Sequence, residues 1–154
     1  MSSAIVVIAG LCFLTACGGG TSSAASSTRQ ATSSPKGSPA GSPKLATEVP
    51  MPVGFPSDVP IYPGARLTSG AGFTDNGQTQ WGMTWETPDS VDKVHDFYSS
   101  KLSQGDWNIT FNSNANGSFA ATFNRKSNSK VTGGLSADSS SGVTKISMFL
   151  LTQS

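Results

Sequence analysis

Charge is scarce in this 154-residue chain: Asp, Glu, Lys and Arg together make up 12% of it, against about 25% in an ordinary soluble protein. Ten basic and nine acidic side chains leave a net charge of +1. No basic stripe can be drawn from them to neutralise phosphates, which excludes nucleic acid as a partner. Cysteine is almost missing. Cys12 and Cys17 are the two present, so everything after position 17 lacks a disulfide, a thiol nucleophile or a thiolate metal ligand. The single histidine, His95, is too little for a zinc centre, and nothing in the chain calls for a metal or a cofactor. Long apolar runs are absent as well. The uncharged stretch 4–16, A-I-V-V-I-A-G-L-C-F-L-T-A, has thirteen residues, short of the roughly 20 that cross a bilayer but within the range of about 7 to 15 for the apolar part of an export signal.

That stretch ends in Leu14-Thr15-Ala16, and Cys17 and three glycines come directly after it. An ordinary secretory cleavage site takes small residues at its last and third-from-last positions, and Leu14 breaks the second requirement. Leu14-Thr15-Ala16-Cys17 instead resembles the bacterial lipobox read by signal peptidase II. That resemblance implies that Leu14, Thr15 and Ala16 are recognition residues and that residues 1–16 are removed, Cys12 among them. It also implies that Cys17 becomes the first residue of the mature chain, carrying a diacylglycerol thioether. Met1-Ser2-Ser3 lacks the Lys or Arg usual ahead of such a run. Two acyl chains anchor stably where one is marginal, each buried methylene contributing about 0.8 kcal/mol. The expected location is the cell envelope, on the extracytoplasmic side of a bacterial membrane, with membrane lipid as the first partner.

Residues 17–49 read as a disordered tether. Between positions 18 and 50, 26 of 33 residues are Ser, Thr, Ala, Gly or Pro, a composition that buries too little surface to offset the entropy of ordering. Its span is on the order of 30 Å. A Pro-rich lead-in, 50–62, then gains Met51, Val53, Phe55, Val59, Ile61 and Tyr62, and is expected to lie extended against the domain and bury some of them.

The remaining segment, 63–154, is long enough for one small core. Strands are expected at 66–74 and 78–87, joined at Asp75-Asn76-Gly77, because Asn-Gly adopts the positive φ of a tight hairpin. Trp81, Met83 and Trp85 alternate with Gly82, Thr84 and Glu86, the period of a half-buried strand. One helix is expected from 91 to about 104, capped by Asp89 or Ser90 and stopped by Gly105. Val91, Val94, Phe97, Tyr98 and Leu102 form its apolar stripe. Alternation resumes at Trp107, Ile109 and Phe111, turns at Asn116-Gly117, and returns through Phe119, Ala121 and Phe123. Two further strands, 129–137 and 143–152, flank a turn at 138–142. The order β-β-α-β-β-β-β predicts an α+β domain, an antiparallel sheet of about six strands with the helix across one face.

Pro56-Ser57-Asp58-Val59-Pro60-Ile61-Tyr62-Pro63-Gly64-Ala65, Trp85-Glu86-Thr87 ahead of a helix containing Phe97-Tyr98, and then Leu102 and Gly105-Asp106-Trp107 are similar to a recurring small domain of uncharacterised bacterial lipoproteins. The resemblance covers roughly residues 53–154 and implies neither an activity nor catalytic residues.

Candidate chemistry is thin. Asp92, His95 and Ser99 share one helix face at three- and four-residue spacing, which matches an acid, a base and a hydroxyl. A working triad also needs a water-excluded pocket and oxyanion donors, and a solvated polar face is the simpler expectation. Glu86 and Asp89 have the look of paired glycosidase carboxylates, but a strand end and a helix cap account for them. Asp75-Asn76-Gly77 begins like a calcium loop and lacks the later ligands. Arg125, Lys126 and Lys130 gather around a hairpin tip, either as a solvated turn or as a contact for anionic lipid or wall polymer. Trp81, Trp85 and Trp107 are expected in the core beneath the helix, the competing reading being a sugar-stacking platform.

The expected function is a non-enzymatic binding or assembly module of the cell envelope, anchored through acylated Cys17, with a wall or envelope protein partner. The alternatives are an envelope hydrolase acting on cell-wall material and a purely structural surface protein.

Overall fold

Three two-residue turns set the strand pairing. Asn76-Gly77, Asn116-Gly117 and Ser141-Gly142 each place two successive residues at positive φ, from 48° to 78°, the turn whose twist matches that of the strands it joins. The computed structural model describes residues 43–153; the expected signal, Leu14 to Cys17 and most of the expected tether lie outside the described residues. Within them the chain forms β1 (Arg66–Asp75), β2 (Gln78–Thr87), α1 (Val91–Lys101), β3 (Trp107–Ala115), β4 (Ser118–Arg125), β5 (Thr132–Ser140) and β6 (Val143–Gln153). This is the expected α+β order. The strands make one six-stranded sheet, β1-β2-β6-β5-β4-β3, antiparallel at every pairing.

The position of β6 dictates that of the helix. Because β6 returns beside β2, the chain leaving β2 must cross to the far edge to start β3, four strand spacings or about 19 Å away. An eleven-residue helix is about 16 Å long, and with its flanking turns it makes that crossing while covering β4 and β5. Ser90 caps it, its hydroxyl accepting the Lys93 N–H. Two buried threonines, Thr87 and Thr144, are paired in register at the helix entry. The Thr87 hydroxyl accepts the Asp89 N–H and the Thr144 hydroxyl donates to the Asp89 carbonyl. The helix stops at Lys101 rather than near Gln104, because fully buried Leu102 closes it by donating its N–H to the Tyr98 carbonyl. Gly105, at φ 59°, serves the turn into β3.

Two strands differ from expectation. β5 runs on through Asp138, Ser139 and Ser140, which pair with Lys145, Thr144 and Val143. Those residue types suit a turn, but a ladder uses only the backbone, and a two-residue turn at 141–142 extends the pairing to them. β3 continues past Asn112 to Ala115 across a bulge between Phe111 and Ser113, a device common on edge strands.

One face of the sheet carries the core. Trp81, Met83 and Trp85 of β2, Ile146, Met148 and Leu150 of β6, Leu135 and Ala137 of β5, and Phe119 and Phe123 of β4 are all buried there. Val94, Tyr98 and Leu102 of α1 pack onto it. The helix seals only part of that face, and the Pro-rich lead-in seals the rest. Phe55 stands edge-on to Trp81 and Trp85, with ring centroids 5.6 and 6.4 Å away, and Val59 and Tyr62 are buried. Thus Trp81 and Trp85 lie in the core as expected but beneath the lead-in and not beneath the helix, a correction with a geometric cause: α1 runs away from β2 towards β3. Val53, by contrast, is 99% exposed. The last residues of the expected tether also meet the sheet. Ala46 donates its N–H to Glu86 and accepts from Arg66, and the Val49 N–H donates to the Leu67 carbonyl, pairing with the edge of β1.

Candidate functional site

The side chains singled out for chemistry are dispersed by the fold. His95 turns towards β3 and β4, its ring 4.3 Å from that of Phe111 and 5.4 Å from that of Phe119, and its polar contact is with Asp96 at 3.3 Å. Among the described residues no hydrogen bond joins it to Asp92 or Ser99. Asp89 accepts from the Lys93 ammonium at 2.8 Å and from the Tyr62 hydroxyl at 3.1 Å. Those two donors, Lys93 first, hold its carboxyl below the usual range. Glu86 accepts the Ala46 N–H. Asp89 therefore ties the lead-in and the first turn of α1 together beside the cap that Ser90 supplies, and Glu86 holds the entering chain. Asp75-Asn76-Gly77 is the β1–β2 turn.

The basic cluster splits. Arg125 is drawn into a clamp, its guanidinium donating to Asp58 of the lead-in and Asp106 of the turn before β3 while lying 4.6 Å over the Trp107 ring. Lys126 donates to the Gly105 carbonyl at 2.9 Å. Asp106 also accepts from the Ser127 hydroxyl and N–H. Ser127 foremost, with Arg125 adding to it, holds the Asp106 carboxyl below its ordinary value. Lys130 is exposed at the loop. Trp107 is buried between Phe123 and the Arg125 guanidinium, so none of the three tryptophans offers a free face. The Tyr98 hydroxyl is the one buried side-chain group among the described residues without a well-formed hydrogen bond, the Tyr62 backbone lying near it. Burial pushes that phenol well above its usual range.

What remains accessible is the other face of the sheet, which neither α1 nor the lead-in covers. Register places Ser69, Thr84, Ser147, Ser136 and Ala120 in one row across β1, β2, β6, β5 and β4. The next row holds Ala71, Gly82, Phe149, Gly134 and Thr122. Small side chains leave an open trough of about 570 Å³, lined by Ser69, Thr84, Ser136, Ser147, Gly82, Gly134 and Phe149 among others, and none of its lining residues is charged. Phe149 is 46% and Phe73 66% exposed. This face was missed at the level of sequence, although the alternation that buries Trp81 and Trp85 already turns Gly82 and Thr84 outward.

The trough is lined by no acid, base or nucleophile beyond hydroxyls. Among the described residues no group of three or more His, Cys, Asp or Glu is placed to hold a metal ion, and no helix is long and apolar enough to cross a membrane. A family model described as START domain-like matches residues 67–144, half of the chain, from β1 through the first residues of β6. No curated protein and no solved structure matches the chain.

Proposed function

This chain belongs to the START domain-like family, and from that premise we propose that it is a lipid-anchored, non-enzymatic binding module of the bacterial cell envelope that meets its partner with the open face of its sheet. The observation that carries the reading is the contrast between a sealed core face and a trough of about 570 Å³ on the other, lined without a charged side chain. An enzyme gathers its reactive groups around the space it leaves open. Here Asp58, Glu86, Asp89, Asp106 and Arg125 are spent on holding segments together, and the His95 ring packs on Phe111 and Phe119.

Anchorage rests on Leu14-Thr15-Ala16-Cys17 and on the Ser-, Gly- and Pro-rich segment that separates Cys17 from the domain. Two acyl chains on Cys17 hold the chain at the membrane. The tether lets the head reach on the order of 30 Å. The test has two arms. Cys17→Ser is expected to abolish palmitate labelling and release the protein to the soluble fraction; a variant still labelled and still membrane-bound overturns the anchor. Ser136→Arg, which puts a bulky charge in the trough, is expected to abolish retention on isolated envelope preparations while changing stability by less than about 0.5 kcal/mol. Unchanged retention removes this face from the function.

A further inference from the structure

Glycine inside a strand weakens it, and commonly marks a bulge or the close approach of another group. Gly72 and Gly133 fit that rule on the core face. A Cβ at Gly72 would stand 2.5 Å from the Trp81 ring, and one at Gly133 would collide with the Phe149 carbonyl and stand 2.5 Å from the Phe123 ring. Gly82 and Gly134 face outward and have no such reason. A Cβ at Gly82 would meet nothing within 4 Å, and one at Gly134 only the Ala121 carbonyl at 3.9 Å. Neither adopts a left-handed backbone, and both pair regularly.

Both are paired with Phe149, one on each side. An aromatic ring sometimes shields a cross-strand glycine by lying over it. That is not the case here, since the space above both glycines is empty of side-chain atoms. The outcome is a half-exposed ring with open space over the glycine on either hand, beside a row of hydroxyls. Phe73 shares the face, two strands and one pleat away, which is about 12 Å between the two backbones.

We propose that this face binds an uncharged, extended glycan chain, one sugar ring stacked on Phe149 with its edges over Gly82 and Gly134, and a later ring on Phe73. A pyranose presents a flat C–H face to an aromatic ring and a rim of hydroxyls to its surroundings. Ser147, Ser136 and Thr84 supply matching donors and acceptors along the trough. The surface disfavours the other occupants. Anionic polymers find no cation in the lining, and the adjacent row on this face, Arg66, Glu86, Lys145 and Asp138, sets each base against an acid and carries no net charge; an acyl chain needs an enclosed apolar cavity, and a peptide strand would pair with a sheet edge rather than lie across a face. The chain enters the domain with Pro43 beside Gly142, at the β5–β6 turn, so the end of the sheet bearing Phe73 lies away from the tether. The proposal rests on the binding-module reading and names its ligand class.

The test uses the full chain, isotope-labelled and held in detergent micelles, titrated with the β-1,4-linked tetramer of N-acetylglucosamine and, as a charged control, a sulfated tetrasaccharide. The neutral tetramer alone is expected to shift amides centred on Gly82, Gly134 and Phe149. Phe149→Ala is expected to lose at least tenfold in affinity. Gly82→Val and Gly134→Val, which fill the space over the glycines, are expected to lose as much while melting at or above the parent temperature, an outcome that a merely structural role for these glycines does not produce. Absence of shifts on this face with the tetramer, or undiminished affinity in Gly134→Val, overturns the glycan assignment. If an envelope extract shifts these amides where the tetramer does not, the glycan is wrong and the binding face stands; if neither shifts them, both readings fall.

Discussion

Gly133 and Gly134 are neighbours in β5 with opposite reasons to be glycine. The first points into the core, where a methyl group would collide with a backbone carbonyl and the Phe123 ring; the second points out over the trough, where a methyl group meets almost nothing. The contrast extends to the whole sheet. Its inner face is filled by rings and branched chains under two covers, and its outer face has been kept shallow by Gly, Ala, Ser and Thr. Scarcity of charge in the sequence is thus partly a property of the trough in this outer face. Of the seven basic and eight acidic side chains in residues 50–154, none lines the trough: Arg66, Glu86, Lys145 and Asp138 form the row beyond it on the same face, and others lie at turns, on the helix and in the clamp around Arg125.

Replacing a core ring sharpens the comparison most. Trp85, 1% exposed under Phe55, should lose about 3–5 kcal/mol on Trp85→Ala, the usual range for a buried aromatic. That is a large part of a typical total of about 5–15 kcal/mol. Phe149→Ala, on the other face, is expected to change stability by less than about 0.5 kcal/mol. Urea denaturation of the two variants checks the pair, and equal losses would erase the distinction between the faces. Next in size is Gly133→Ala, where the new carbon lands against the Phe149 carbonyl of the neighbouring strand. The backbone must move, and overpacking of this kind costs about 1–3 kcal/mol. A Gly133→Ala protein as stable as the parent would show that β5 and β6 separate more freely than their register implies.

Much of this contrast was legible in the residue pattern and some was not, for definite reasons. Period-two alternation marks Trp81, Met83 and Trp85 as inward, and Asn76-Gly77 and Asn116-Gly117 announce their own turns because positive φ is a local demand. Ser141-Gly142 makes the same turn with a weaker signal. Pairings between distant segments leave no local mark. Nothing in W-G-M and G-G-L says that Gly82 and Gly134 flank the same phenylalanine, since that is a result of β6 inserting between β2 and β5. The cover over Trp81 and Trp85 is equally non-local, as is the reach of Arg125 to Asp58, 67 positions away. A cluster of positive residues therefore looked available for binding, when its most buried member was already committed to two carboxylates and a tryptophan.

That commitment has a pH signature on the core side. Asp106 is held below the ordinary carboxylate value by Ser127 and then Arg125. In the unfolded chain it titrates near 3.9, so as pH falls the unfolded form takes up the proton first. Its stabilising effect is complete above about pH 4, and is lost as pH falls through the lower folded value. Melting temperatures measured between pH 6 and pH 2 should drop more steeply for the parent than for Asp106→Asn below pH 4. Parallel curves would mean that the clamp around Arg125 does not discriminate between the charged and neutral acid. The trough, uncharged along its lining, contributes nothing to that slope.

The smallest effect is the most discriminating, because its sign differs from that of every core change. Gly82 lies on β2 between two paired strands, with an extended backbone that any residue adopts and open space where a side chain would go. Gly82→Thr should therefore stabilise the fold by about 0.5–1 kcal/mol, through reduced freedom of the unfolded chain and the preference of branched residues for strands. A calorimetric melt resolves a rise of a few degrees. If Gly82→Thr instead destabilises, the outer face is under a steric constraint that the empty space above it does not reveal, and glycine is there for the fold. If it stabilises, the chain carries at that position a residue worse for its own folding than the alternatives, and the reason for it must be looked for in what approaches the sheet from outside.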